Sequence, residues 1–110
     1  YEGTVYALVN RRSYSNAVTV AATLQDYGFA TVLGEETADL APTLGAMEHF
    51  ELPRTGIRVG FPKARIVRPS GDTTRRGVVP DVQIETPVVQ PADDPVLQAA
   101  LAEIRARRGR

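Results

Sequence analysis

Thr4-Val5-Tyr6-Ala7-Leu8-Val9 is a nearly continuous run of apolar, β-branched and aromatic residues. A run without polar alternation suits a strand buried on both faces, as in a parallel sheet. Asn10-Arg11-Arg12-Ser13 interrupts it, and from Ser15 the period changes. Ala17, Val18, Ala21, Leu24 and the ring of Tyr27 fall at helical spacing and predict one apolar stripe. Gly28 follows, where a helix ends on a residue able to take positive φ. Ala30 to Leu33, closed by Gly34, predicts a second short strand. Strand, helix and strand within about thirty residues make a βαβ unit, which should cross over right-handed.

The second half has a different rhythm. Glu35 to Gly45 reads as a loop rich in acidic and small residues, and Ala46 to Leu52 as a strand. Pro53-Arg54-Thr55-Gly56 is a turn signal, so Ile57 to Phe61 should return as a hairpin partner. Ala64 to Val67 suggests one more short strand. Pro69 to Asp72 is another turn, and Gly77-Val78-Val79-Pro80-Asp81 is bounded by Gly and Pro. Thr86 to Asp94 contains two Pro and reads as extended or linker-like. Asp93 or Asp94 can cap a last helix with Pro95 in its first turn. Val96, Leu97, Ala100, Leu101 and Ile104 form that helix's apolar face. The expected architecture is an α/β unit with a mixed sheet and a C-terminal helix, divided as residues 1–87 and a linker plus amphipathic helix at 88–110.

Composition narrows the chemistry. The 110 residues contain no Cys and one His, which excludes a disulfide framework, a thiolate metal site and a Cys nucleophile. No apolar run reaches the roughly 20 residues of a membrane-spanning helix. The chain opens in Tyr1-Glu2-Gly3 directly before a strand, without an initiator Met, so a piece of a longer protein is expected. Net charge is zero, yet residues 1–104 carry nine basic and thirteen acidic side chains. Arg105, Arg107, Arg108 and Arg110 restore the balance. Basic residues at a helix C-terminus complement the macrodipole, and without a basic face interleaved with aromatics no nucleic-acid partner is expected.

Candidate chemistry gathers at the first strand-to-helix junction. In open α/β sheets, sites lie at the carboxyl ends of strands, and a helix N-terminus offers unpaired N–H groups to an oxyanion. Ser15 stands there, although Ser13 or Ser15 could equally serve only as an N-cap. His49, in a predicted strand, is the only His and is more consistent with a structural residue than a general base. Glu35, Glu36 and Asp39 form an acidic loop whose spacing matches no metal loop. Lys63 ends a hairpin strand and suits the surface.

Ser13-Tyr14-Ser15-Asn16-Ala17, Gly34-Glu35-Glu36-Thr37, Leu52-Pro53-Arg54-Thr55-Gly56 and Gly77-Val78-Val79-Pro80-Asp81, in this order, resemble the C-terminal half of the catalytic domain of the tail-specific (C-terminal-processing) serine proteases. The resemblance covers about residues 3 to 87. It implies a Clp-protease/crotonase-like α/β spiral, Ser15 as nucleophile and the Asn16 N–H as an oxyanion donor. It also marks Gly34, Glu35, Thr37, Gly77, Pro80 and Asp81 as motif residues. It implies a polypeptide substrate, no metal or other cofactor, and an extracytoplasmic (periplasmic or cell-envelope) setting. Two positions depart from the family pattern. Where one branch has its Lys base, 25 residues after the serine, this chain has Leu40. Where another branch has an acidic partner before Gly-Val-x-Pro-Asp, it has Thr73-Thr74-Arg75-Arg76. The base is therefore expected from a missing N-terminal part, and the isolated fragment should be inactive and prone to self-association. The alternatives are a non-catalytic peptide- or ligand-binding member of the fold, or an α/β domain in which Ser15 only caps its helix.

Overall fold

A computed structural model describes residues 2–89 and 91–109. Strand β1 (Tyr6–Val9), helix α1 (Asn16–Asp26) and strand β2 (Thr31–Gly34) form the expected βαβ unit. β1 and β2 pair in parallel, from Tyr6 opposite Thr31 to Val9 opposite Gly34. The antiparallel strands β3 (Thr43–Glu51) and β4 (Arg58–Ile66) follow, then the two-residue strand β5 (Val82–Gln83) and helix α2 (Pro95–Arg108).

The expected mixed sheet is two sheets. β1, β2 and β5 form one in that order, and β3 and β4 form the other. The segment 35–42 leaves β2 on a path fixed by bonds to residues 76–78, so β3 starts away from the parallel sheet and, among the described residues, pairs only with β4. The hairpin stands out as an arm. The molecule measures 68 × 33 × 26 Å with a radius of gyration of 17.9 Å, against about 13 Å for a compact chain of this length. The short strand expected at Ala64–Val67 is the end of β4, which runs straight through Pro62. Proline lacks an N–H but is tolerated where a strand has a free edge. The turn between the strands closes with the Leu52 N–H donating to Ile57 O and Gly56 at φ 69°.

The parallel sheet is covered on both faces. On one side, Val18, Ala21 and Ala22 of α1 pack with Val9, Val32, Ala41 and Val78. On the other, Val96 and Ala100 of α2 pack on Leu33, with Tyr6 and Ile84 beside them. Asp94 caps α2, accepting from the Val96 and Leu97 N–H groups, and Pro95 opens it. Arg105, Arg107 and Arg108 lie in its last turn, and Arg107 donates to Glu103. Arg110 lies outside the described residues. β1 is less buried than its sequence predicts, because it is an edge strand, and Leu8 is 42% exposed. The helical stripe is also rotated from expectation. Ala17 is exposed, and Tyr27 lies outside the core, its ring stacked 5.4 Å from that of Phe29.

One ion pair fastens the end of α1 to the chain leaving β4. Arg68 Nε donates to Asp26 Oδ2 at 2.9 Å and Nη2 to Oδ1 at 2.5 Å, with the two side chains 12% and 7% exposed. The Arg68 hydrogen bonds, with help from the Ser70 N–H, outweigh burial and hold the Asp26 carboxyl down at about 2. Its stabilisation is complete above the ordinary value of 3.8 and is lost as the pH falls through about 2. The loss is expected to be about 2 kcal/mol. Urea unfolding at pH 5 and pH 2 should show this difference in the wild type and a smaller one in Arg68→Met. Equal pH sensitivity in both proteins would remove the pair from the account.

Candidate active site

β1 ends at Val9, and the next residues turn the chain into α1 through local bonds. The Ser13 N–H donates to Asn10 O at 2.9 Å, the Asn10 N–H to Ser13 Oγ at 3.1 Å, and the Arg12 N–H to Asn10 Oδ1 at 2.8 Å. Ser13 is thus the residue that closes the turn. Ser15 occupies the cap position of α1 but caps nothing, since its side chain accepts no N–H from the first turn. Its backbone has φ 55° and ψ −125°, a conformation that costs a non-glycine residue about 1–3 kcal/mol. The helix begins at once, because Ser15 O accepts the Val18 and Thr19 N–H groups.

The two N–H groups at this corner differ. That of Ser15 donates to Asp39 Oδ2 at 3.0 Å. That of Asn16, at the positive end of α1, has no partner among the described residues. An anion arriving at the corner would find a free donor at Asn16 and a carboxylate behind Ser15, which directs it to the Asn16 side.

The motif residues hold this corner from below. Gly34, at φ 127°, passes so close to β1 that a Cβ would lie 1.8 Å from Val9 O. Glu35 accepts the Thr86 N–H at 3.0 Å and Arg11 Nη1 at 2.9 Å, tying the turn after β1 to the chain after β5. Thr86 and then Arg11 hold its carboxyl below the usual carboxylate range. Glu36 accepts Arg76 Nη2 at 2.7 Å and the Gly77 N–H at 3.0 Å, and Arg76 lowers its carboxyl likewise. Thr37 is buried. Its hydroxyl accepts the Val78 N–H at 2.9 Å and donates to Asp39 O at 3.0 Å. Gly77 leaves room for this contact, since a Cβ would stand 2.2 Å from Thr37 O. Pro80 is buried, and Asp81 accepts the Val32 N–H at 2.8 Å and Gln25 Nε2 at 2.9 Å.

The three acidic residues of the loop therefore point at different partners, and no group of three or more His, Asp or Glu gathers among the described residues. His49 sits in the arm opposite Gly60, in a different sheet from the one that presents Ser15. Lys63 pairs with Glu48 on the same arm. Leu40, at the position of the absent lysine, is half-buried, and its N–H donates to Asp39 Oδ1 at 2.9 Å. Asp39 is the functional candidate that the pattern of residues hides. Its neighbours Glu35 and Glu36 share its charge, and only the 24-residue return of the chain brings it to Ser15. A shallow apolar groove runs beside the free edge of β1, lined by Ala7, Leu8 and Val9 and by Ala17 and Val20 of α1, and reaches Asn16.

Residues 1–84 match the model of peptidase family S41. Solved structures similar to this chain include a photosystem II D1 C-terminal processing protease, 30% identical over 88% of this chain with a TM-score of 0.64. Mature CPAF is 28% identical over 76% of the chain, with a TM-score of 0.58. A mutant of CPAF, 22% identical over 96% with a TM-score of 0.60, shares the fold. The chain spans 24%, 16% and 19% of these three structures. No curated protein sequence matches it.

Proposed function

Because this chain belongs to peptidase family S41, we propose that it carries the nucleophile of a serine endopeptidase, and that the nucleophile is Ser15. The observation that supports this most directly is the uncapped, positive-φ serine at the start of α1. Strain of this kind persists only where surrounding contacts enforce it, and it gathers at sites that use it. A serine that served only as a cap would adopt extended backbone and bond the first turn.

In the proposed reaction Ser15 Oγ attacks the scissile carbonyl carbon while a base takes its proton. The carbonyl oxygen becomes an oxyanion, which the Asn16 N–H binds. The C–N bond then breaks, the amine leaves with the proton, and water hydrolyses the acyl-serine to free the acid and Ser15. The groove beside β1 suits an extended polypeptide that adds to the free strand edge by main-chain bonds. Base and second oxyanion donor come from residues outside this chain. A positioned base contributes about 10²–10⁴-fold, and one oxyanion donor about 10²–10³-fold. The 110 residues alone are therefore expected to be inert. The family resemblance also favours an extracytoplasmic setting. No helix among the described residues is long and apolar enough to cross a membrane.

Leu40 favours a second reading, a member that binds peptides without cutting them. A fluorophosphonate probe separates the two. The full-length protein should be labelled stoichiometrically, with the adduct mapped to Ser15, and the 110-residue chain should not. A full-length protein that stays unlabelled, or is labelled elsewhere, would support the binding reading.

A further inference from the structure

We propose that Asp39 is the positioning residue of the nucleophile corner, holding Ser15 in its strained conformation through the Ser15 N–H. The inference rests on the reading of Ser15 as nucleophile. Asp39 is fixed from three sides. Oδ2 accepts the Ser15 N–H at 3.0 Å, Oδ1 accepts the Leu40 N–H at 2.9 Å, and its carbonyl accepts the Thr37 hydroxyl at 3.0 Å. Thr37 is itself locked by the Val78 N–H. A continuous chain of bonds thus runs from the buried Val78, through Thr37 and Asp39, to the backbone of Ser15. The bond to Asp39 is the only hydrogen bond that the Ser15 N–H makes among the described residues.

The contact has two consequences for the reaction. It opposes relaxation of Ser15 to extended backbone, in which the hydroxyl would turn to the first-turn N–H groups and be consumed as a cap. It also occupies the Ser15 N–H with a carboxylate, which leaves the Asn16 N–H as the donor for the oxyanion. Asp39 need not touch substrate to do either. Its effect should fall on the chemical step and not on peptide binding.

The test uses the full-length protein with Asp39→Ala and Asp39→Asn. The rate of fluorophosphonate labelling at Ser15, and kcat on a peptide, should fall about 10- to 100-fold in Asp39→Ala, the size of one charge-assisted hydrogen bond. KM should stay within about threefold. The unfolding midpoint should not fall in proportion, because release of Ser15 removes strain and permits a cap. Asp39→Asn keeps one carbonyl oxygen for the Ser15 N–H but turns its NH2 toward the Leu40 N–H, so it should restore part of the rate. Exchange of the Ser15 amide, followed by NMR, should accelerate in Asp39→Ala and recover in part in Asp39→Asn. Wild-type labelling in Asp39→Ala, or unchanged exchange of the Ser15 amide, would overturn the proposal. A wild type that does not label at Ser15 would sink the nucleophile reading instead, and the amide exchange alone would then decide whether Asp39 holds the corner.

Discussion

Gly34→Ala is expected to prevent the parallel sheet from forming. Gly34 is the last residue of β2, paired with Val9 on one side and Gln83 on the other, and its carbonyl accepts the Ile84 N–H at 2.8 Å. A methyl group there would lie 1.8 Å from Val9 O and 3.0 Å from Val9 C. Both are backbone atoms of the neighbouring strand, so no side chain can swing aside. The residue also sits at φ 127°, which an L side chain rarely adopts. Relief requires β1 and β2 to part, and with them goes the burial of Val9, Val32 and Leu33. The cost should exceed about 4 kcal/mol, in the range reserved for steric failure in a packed core. Gly28→Ala is the control. Gly28 has φ 67°, but a Cβ there would meet nothing within 4 Å, so only the conformational cost of about 1 kcal/mol remains. Urea unfolding of both variants decides. If Gly34→Ala unfolds within about 1 kcal/mol of Gly28→Ala, the close approach of the strands has been misjudged.

The contrast between the two glycines also shows which parts of the molecule can be read from sequence. Gly28, Gly56 and Asp94 announce a helix stop, a turn and a helix cap because their effect is local, set by one residue's φ or one short side chain. The βαβ unit is legible for the same reason, since a change of period marks each boundary. The elements that depart from the sequence reading depend on distant partners. β5 is two residues long and is a strand only because Leu33 and Gly34 lie beside it. Pro62 breaks a pattern that the ladder to Met47 continues. Tyr27 falls on the predicted stripe but finds Phe29 outside the core. At the candidate site, position and neighbours single out Ser15, and the motifs around it are legible as motifs. The φ of 55° is not, because a bond to a residue 24 positions away helps impose it. Thr37 and Asp81 likewise carry no sign in sequence that their work is to hold the backbone N–H groups of Val78 and Val32.

Ser15 itself should show function and stability moving in opposite directions. In the full-length protein, Ser15→Gly and Ser15→Ala both remove the hydroxyl, and with it covalent catalysis. Activity on a peptide should fall at least about 10³-fold in each, the scale on which loss of a nucleophile is felt. Their stabilities should differ. A glycine occupies φ 55°, ψ −125° without steric penalty, so Ser15→Gly relieves the strain, worth about 1–3 kcal/mol, and gives back about 0.4–1 kcal/mol through the freer unfolded chain. A net gain of about 0.5–2 kcal/mol follows. Ser15→Ala keeps a Cβ in the same strained position and loses no cap bond, so its stability should remain near that of the wild type. If Ser15 were only a cap, Ala would cost about 0.5–2 kcal/mol, Gly a few tenths, and activity would survive both. Peptide hydrolysis and urea unfolding of the two variants therefore separate the readings twice over. A corner that becomes more stable as it loses its reaction holds its serine in that conformation for the reaction.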